Sequence, residues 1–352
     1  MDDKNKVLVT GGAGYIGSHT VVELVAAGYT PVIIDNYSNA EPSVLKGIEK
    51  IAGTPIKFYE GDCNDVSYVE NLLRTEKNIQ GIIHFAAYKA VGESVLEPVK
   101  YYENNIGSLL VLLKLMKKYN IPDIVFSSSC TVYGQPDQLP VTEKTPKKPA
   151  ESPYGNTKQV CEEILEDTVN SYFQNKNEQH NLKAIALRYF NPVGAHPSSL
   201  IGELPLGVPN NLVPFITQTA VGLREKIVVF GDNYNTPDGT CIRDYIHVVD
   251  LAKAHVKALE YLSNQEKAQF FDTFNIGTGG GNTVLEVIKT FEKVSDQKLN
   301  YEIGPRREGD VEQIYANVEK SNTVLGWQAI LGLEESLRDS WAWQLALKKA
   351  NE

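Results

Sequence analysis

The sequence predicts an α/β protein: a doubly wound parallel sheet followed by a smaller, loop-rich region. Three observations predict it. Short, continuously apolar runs alternate with helix-length segments through the first half of the chain, as parallel strands covered on both faces require. A glycine-rich turn, Thr10-Gly11-Gly12-Ala13-Gly14-Tyr15-Ile16-Gly17, directly follows the first run and opens a helix. Beyond Asn191 the texture changes, and Pro192, Pro197, Pro205, Pro209 and Pro214 break the alternation.

The elements follow in order. Val7 to Val9, Val32 to Ile34, Ile56 to Phe58, Ile82 to Phe85, Ile124 to Phe126 and Ala184 to Leu187 are the predicted strands. Ser18 to Ala27 is the first crossover helix, stopped by Gly28. Asn104 to Lys118 and Asn156 to Phe173 are longer amphipathic helices. The predicted division is a sheet domain over 1–190 and a second domain over 191–352. Within the second, the strand Tyr245 to Val248 and the helix Asp250 to Leu262 are expected to return to the first sheet, so segments around 240–262 belong with it. Lys144 to Lys148 reads as a solvated loop.

Composition narrows the function classes. The 352 residues are 42% hydrophobic and 22% charged, which is ordinary for a globular protein. A net charge of −10 argues against a broad nucleic-acid surface. The cysteines, Cys63, Cys130, Cys161 and Cys241, lack metal-ligand spacing, so no metal site and no disulfide framework are expected. With no leader-like start and no membrane-length apolar run, a cytoplasmic protein is expected.

The glycine-rich turn carries the first functional signal. Gly11, Gly14 and Gly17 let the backbone approach a pyrophosphate at a helix N-terminus. Asp35 ends the second strand 18 residues after Gly17, placed to accept hydrogen bonds from both ribose hydroxyls. The same carboxylate repels a 2′-phosphate, so the expected cofactor is NAD rather than NADP. Asp62 closes the third strand, near where an adenine ring would lie; a plain turn aspartate is the alternative.

The second signal is a proton-handling set. Ser127-Ser128-Ser129 follows a predicted strand, and strand C-termini line the ligand crevice of such sheets. Tyr154 and Lys158 are four residues apart, on one face of a helix. An ammonium beside a phenol favours the phenolate; a shift of two units takes roughly 2.7 kcal/mol. His84, inside an apolar strand, reads as a core histidine.

At this point the chain resembles the UDP-glucose 4-epimerase family of the extended short-chain dehydrogenase/reductase superfamily. The matching segments are Tyr88 to Ser94, Ser127 to Gly134, Ser152 to Lys158, Arg188 to Pro197, Pro209 to Leu212, Asp238 to Val248 and Pro305 to Asp310. The resemblance implies a Rossmann-type NAD domain and a smaller UDP-sugar domain. It implies Tyr154 as the base on the sugar 4-hydroxyl, Lys158 on the nicotinamide ribose, and Ser129 as a bridge between hydroxyl and tyrosine. It implies cofactor contacts at Tyr15, Ile16, Asn36, Cys63, Phe85, Lys89, Asn104 and Tyr189. It implies UDP-sugar contacts at Asn191, Asn211, Leu212, Phe230, Arg243, Tyr245, Arg307 and Asp310, and a homodimer built on the two long helices.

The expected reaction is therefore reversible epimerisation of UDP-glucose and UDP-galactose at C4, through a transient 4-keto sugar. Two alternatives stand beside it. A nucleotide-sugar 4,6-dehydratase or decarboxylase is one, but a dehydratase needs an acid after the strand-end serine, and Cys130-Thr131 follows here. A non-catalytic NAD-binding protein is the other, but it has no use for the tyrosine-lysine pair. Counting from Asp310, Ile314 falls where family members restricted to glucose and galactose carry a bulkier residue, so UDP-GlcNAc and UDP-GalNAc are further expected substrates; core packing is the competing reading.

Overall fold

A computed structural model describes residues 5–174, 180–307 and 311–351. The first part of the chain gives strands β1 (Lys6–Thr10), β2 (Thr30–Asp35), β3 (Lys57–Glu60), β4 (Ile79–His84), β5 (Asp123–Ser129) and β6 (Leu182–Tyr189). Between them run helices α1 (Tyr15–Ala26), α2 (Ser43–Ala52), α3 (Val66–Thr75), α4 (Val91–Leu96), α5 (Pro98–Tyr119) and α6 (Pro153–Gln174). The remainder gives β7 (Asn191–Val193), α7 (Leu212–Ala220), β8 (Ile227–Phe230), β9 (Ile242–Arg243), β10 (Tyr245–His247), α8 (Val248–Ser263) and β11 (Gln269–Ile276). Then follow β12 (Asn282–Thr283), α9 (Val284–Ser295), β13 (Tyr301–Gly304), β14 (Gln313–Ile314), α10 (Glu319–Val324) and α11 (Leu333–Asn351).

Among the described residues, seven strands form one sheet in the order β3-β2-β1-β4-β5-β6-β11, every pair parallel. The continuous apolar runs are explained by its two covered faces. Val7, Val9, Ile33, Ile83, Val125 and Ile185 point to a core shared with α1 and α8. Leu8, Val32, Ile34, Ile82, Ile124 and Ala184 point to the opposite core, with α3, α5 and α6. Alternate residues serve opposite faces, and both faces are dry.

The seventh strand, β11, was not among the predicted strands. Its sequence interleaves Asp272, Thr273 and Asn275 with phenylalanines, and its first five residues are only partly buried. An edge strand with polar positions carries no apolar-run signal. The expectation that Tyr245 to Val248 joins the main sheet is corrected: β10 pairs with β7 in a separate two-stranded ladder. All three β10 residues are buried, and burial alone does not specify which sheet receives a strand. Its following helix does return, since α8 packs on α1 and reaches β5 and β6.

The chain order reverses between β1 and β4, the switch point where such sheets hold ligands. The glycine-rich turn after β1 and the loop after β4 flank that crevice. A third apolar cluster, with Val193, Val213, Ile216, Val229, Ile288, Phe291 and Leu337, supports α7, α9 and α11.

Candidate active site

The nucleotide turn is built by close backbone approach. Gly11 has φ +68, and a Cβ there would meet the Ala86 nitrogen at 2.8 Å. A Cβ on Gly17 would lie 2.3 Å from the Gly11 carbonyl oxygen. Gly14 stands at the N-cap of α1 with no side-chain cap, so the first-turn N–H groups of α1 are left for an anion. Asp35 is buried at the end of β2. One carboxylate oxygen accepts from Ala13 N at 3.0 Å and the other from Tyr37 N at 2.9 Å. Burial raises its pKa, and four backbone N–H groups pull it back. Each oxygen keeps a lone pair for a ribose hydroxyl. The cradle and the carboxylate fit a dinucleotide, and Asp35 fits NAD.

The other expected cofactor contacts surround this turn. Tyr15 donates to the Gly194 carbonyl at 2.7 Å, joining α1 to the chain after β7. Ile16 packs against the core beneath. Asn36 accepts from Ser38 N at 3.0 Å. Asp62 uses one oxygen on Asn64 N at 2.8 Å, a turn role that leaves its second oxygen over. Cys63 is buried and its thiol is pushed well up by desolvation. Asn104 accepts from Asn64 Nδ2 at 3.1 Å. Lys89 is ion-paired with Glu203 at 3.2 Å. Phe85 lies 4.6 Å from the ring of His255, which also faces Tyr189 at 5.9 Å. His255 is a support the sequence reading missed; nothing local marks a histidine on α8 as a floor for these rings.

At the end of β5 the three serines separate into three tasks. Ser127 Oγ hydrogen-bonds Tyr189 Oη. Ser128 donates to Glu162 at 2.6 Å. Ser129 Oγ accepts from Thr131 N at 3.2 Å and stands close enough to Tyr154 to pull its phenol pKa down against burial. Glu162 in turn takes a bidentate pair from Arg188, at 2.9 and 2.6 Å, and Arg188 reaches Tyr133. This buried pair ties α6 to β6 beneath the reacting end. It, too, was not read from sequence, because its members are 26 residues apart with no spacing rule to join them.

Lys158 is buried at the start of α6, and its ammonium donates to the Ser127 carbonyl at 2.7 Å. The same nitrogen lies 4.9 Å from the Phe126 ring centroid and 5.9 Å from that of Tyr154. Burial pushes its pKa down to about 8. The expectation that the lysine lowers the tyrosine pKa is corrected for the polypeptide alone. Desolvation of the buried phenol raises its pKa well above 10, the neighbouring Tyr189 adds to the rise, and the nearby Ser129 hydroxyl opposes it. The ammonium is spent on a backbone carbonyl rather than on the phenol oxygen. His84 is a core histidine as read, held near 3 by burial, with Nδ1 at 2.6 Å from Thr10 Oγ1.

The expected UDP-sugar contacts fall into four local sets. Asn191 and Tyr245 are register partners in the β7–β10 ladder, Asn191 partly buried and Tyr245 buried. Arg243 and Ile314 are register partners in β9–β14. The Arg307 guanidinium stacks 4.4 Å from the ring centroid of Phe230, which is exposed. Asn211 occupies the N-cap position of α7 immediately before Leu212, makes no side-chain cap bond, and its amide donates to Glu203 at 2.7 Å. Arg243 also sits near Cys130, where its charge draws the thiol pKa down against burial, so the β9 set adjoins Ser129. Ile314 is buried with Cys130, Val132, Tyr133 and Phe190. Asp310 lies outside the described residues.

Comparison with known proteins narrows the class and then the family. A family model described as GDP-mannose 4,6 dehydratase matches residues 8–340, which places the chain among enzymes that modify nucleotide sugars. Over 338 residues, 96% of each chain, it is 49% identical to the UDP-glucose 4-epimerase of Bacillus subtilis (strain 168). It is 46% identical to the UDP-glucose 4-epimerase of Mus musculus, covering 96% of both chains. The structure of UDP-glucose 4-epimerase from Bifidobacterium longum with NAD+ and UDP matches with a TM-score of 0.90 at 47% identity, covering 97% of this chain and 98% of that one. The Stenotrophomonas maltophila UDP-glucose 4-epimerase with NAD and formylated UDP-arabinopyranose matches at 0.93 and 44%, covering 98% and 99%. The chain belongs to the UDP-glucose 4-epimerase family.

Proposed function

We propose that this chain interconverts UDP-glucose and UDP-galactose by inverting C4 with tightly bound NAD. The observation that carries the reading is the buried Tyr154 phenol beside the buried Ser129 at the end of β5, with Lys158 one helical turn on. Gly11, Gly14, Tyr15, Ile16, Gly17, Asp35, Asn36, Asp62, Cys63, Phe85, Lys89, Asn104 and Tyr189 hold the dinucleotide. NAD held there would supply a hydride acceptor and donor for C4 of the sugar and a positive charge in the site.

The residues of the chain do the rest. Tyr154 Oη takes the proton of the sugar 4-hydroxyl through Ser129 Oγ and returns it after the 4-keto sugar has turned in its pocket. Burial makes an isolated phenolate costly here, so the tyrosine ionises only alongside positive charge from Lys158 and the cofactor. Lys158 has two ammonium protons left after Ser127, enough for the nicotinamide ribose. Asn191, Asn211, Leu212, Phe230, Arg243, Tyr245, Arg307 and Asp310 grip the UDP. A guanidinium pre-stacked on a ring, as Arg307 is on Phe230, loses little freedom on meeting phosphate.

Three finer readings go with this. Ile314 is smaller than a tyrosine and is the register partner of Arg243, which supports UDP-GlcNAc and UDP-GalNAc as further substrates. Helices α5 and α6 pair with a second copy to form a homodimer, supported by Leu110, exposed on α5. The protein works in the cytoplasm, supported by four free, buried cysteines; among the described residues no helix is long and apolar enough to cross a membrane. We divide the chain into an NAD domain over 1–190 and a UDP-sugar domain over 191–352, with α8 lent back to the first.

The test is conversion of UDP-galactose to UDP-glucose by purified protein without added NAD. Tyr154→Phe is expected to keep its bound nucleotide and to lose about 10²- to 10⁴-fold in kcat. Wild-type protein without activity, or a phenylalanine variant with undiminished activity, rejects the reading.

A further inference from the structure

Glu203 has no role in the site as drawn so far, yet it connects both sides of the crevice. One carboxylate oxygen, Oε1, accepts from Lys89 Nζ at 3.2 Å and from Asn211 Nδ2 at 2.7 Å. Lys89 follows β4 on the sheet side, and Asn211 opens α7 on the other. The Glu203 charge is also felt by Tyr15 in the glycine-rich turn. The glutamate side chain is itself mostly buried, at 12% exposure, while the Lys89 side chain it meets is 47% exposed.

The residue is fixed from behind by the C-terminal helix. Trp343 Nε1 on α11 donates to the Glu203 carbonyl at 2.9 Å. Gly202 makes this possible, because a Cβ there would sit 2.5 Å from the indole ring.

Asn211 shows what the contact achieves. Asparagine is among the favoured N-cap residues, its side chain normally accepting from the N2 or N3 backbone N–H. Asn211 occupies the N-cap of α7 and makes no such bond. A carboxylate only accepts, so it draws the NH₂ end of the amide and turns the side chain off the helix. The first-turn N–H groups of α7 are thereby left without a side-chain cap, and Lys89 shares the same Glu203 oxygen as Asn211.

We propose that Glu203 is a positioning residue for the diphosphate of the UDP-sugar: it holds Lys89 and Asn211 in place and keeps Asn211 from capping α7, so that the helix N-terminus stays open to phosphate. Trp343 and Gly202 set its backbone. The inference rests on reading Asn211 and Leu212 as UDP contacts.

The test is calorimetric titration of UDP into the NAD-loaded protein, alongside steady-state kinetics. Glu203→Ala releases both partners and is expected to weaken UDP binding about tenfold, the size of one charge-assisted hydrogen bond. Glu203→Gln keeps an acceptor for Asn211 but loses the Lys89 ion pair, and is expected to weaken it about threefold. KM for UDP-galactose should rise in step while kcat stays near wild type, a split that general destabilisation does not produce. Trp343→Phe keeps a ring against Gly202, drops the N–H donor, and should shift UDP affinity in the same direction. Unchanged UDP affinity in Glu203→Gln and Trp343→Phe overturns the proposal, whether or not the alanine variant folds. Wild-type protein that binds UDP without epimerising overturns the proposed function instead and leaves this test intact.

Discussion

Replacing Lys158 by methionine should separate stability from activity. The ammonium is buried, and its pKa falls from 10.5 to about 8. That drop of roughly 2.5 units corresponds to about 3 kcal/mol against the folded state at neutral pH. The unfolded chain holds the proton up to 10.5, the folded chain only to about 8, so the penalty is full below pH 8 and disappears as pH rises to 10.5. Methionine removes the charge at similar volume. It also removes the donor to the Ser127 carbonyl, which costs about 1 kcal/mol. Nucleotide-free Lys158→Met should therefore be more stable than wild type by about 2 kcal/mol at pH 7 and lose that advantage near pH 10.5. Activity should fall by at least about 100-fold, with weakened NAD retention. Urea unfolding of protein refolded without nucleotide, at both pH values, measures the first part; epimerase rate and retained nucleotide measure the second. A variant less stable than wild type at pH 7, or one keeping a tenth of its activity, refutes the reasoning.

The remaining predictions are simpler. Gly17→Ala puts a Cβ 2.3 Å from the backbone oxygen of Gly11, so the turn must open, and protein purified with less than about a tenth of the wild-type NAD is expected. His255 is held near 4 by burial, so the unfolded state alone takes up its proton between pH 6.5 and 4 and stability falls with pH there. In His255→Leu the loss of unfolding free energy between pH 7.5 and pH 5 should be smaller than wild type's by about 2 kcal/mol; an equal loss means the imidazole is not buried neutral. Ile314→Tyr should abolish turnover of UDP-N-acetylgalactosamine and keep that of UDP-galactose, at a cost of about 1–3 kcal/mol in overpacking against Cys130 and Phe190. Wild-type protein without turnover of the acetamido sugar dismisses that reading directly.

What the sequence determined by itself was local or periodic. A strand buried on both faces carries a continuous apolar run, and β1, β2, β4, β5 and β6 could be read for that reason. Glycines at 11, 14 and 17 are dictated by backbone approach within one turn, and Tyr154 with Lys158 by one turn of helix; such constraints are written in spacing. The tertiary structure decided what depends on residues far apart in the chain. It placed β11 rather than β10 in the main sheet, because a half-buried edge strand lacks the apolar signature. It divided Ser127, Ser128 and Ser129 among Tyr189, Glu162 and the Thr131 N–H, which three identical residues in a row do not foretell. It turned the Lys158 ammonium to a backbone carbonyl, so burial governs the Tyr154 pKa in the polypeptide alone. It also set Glu203 between Lys89 and Asn211, with Trp343 behind it. A hydrogen bond spans about 3 Å whatever the number of residues between its ends, and only the folded chain fixes which ends meet.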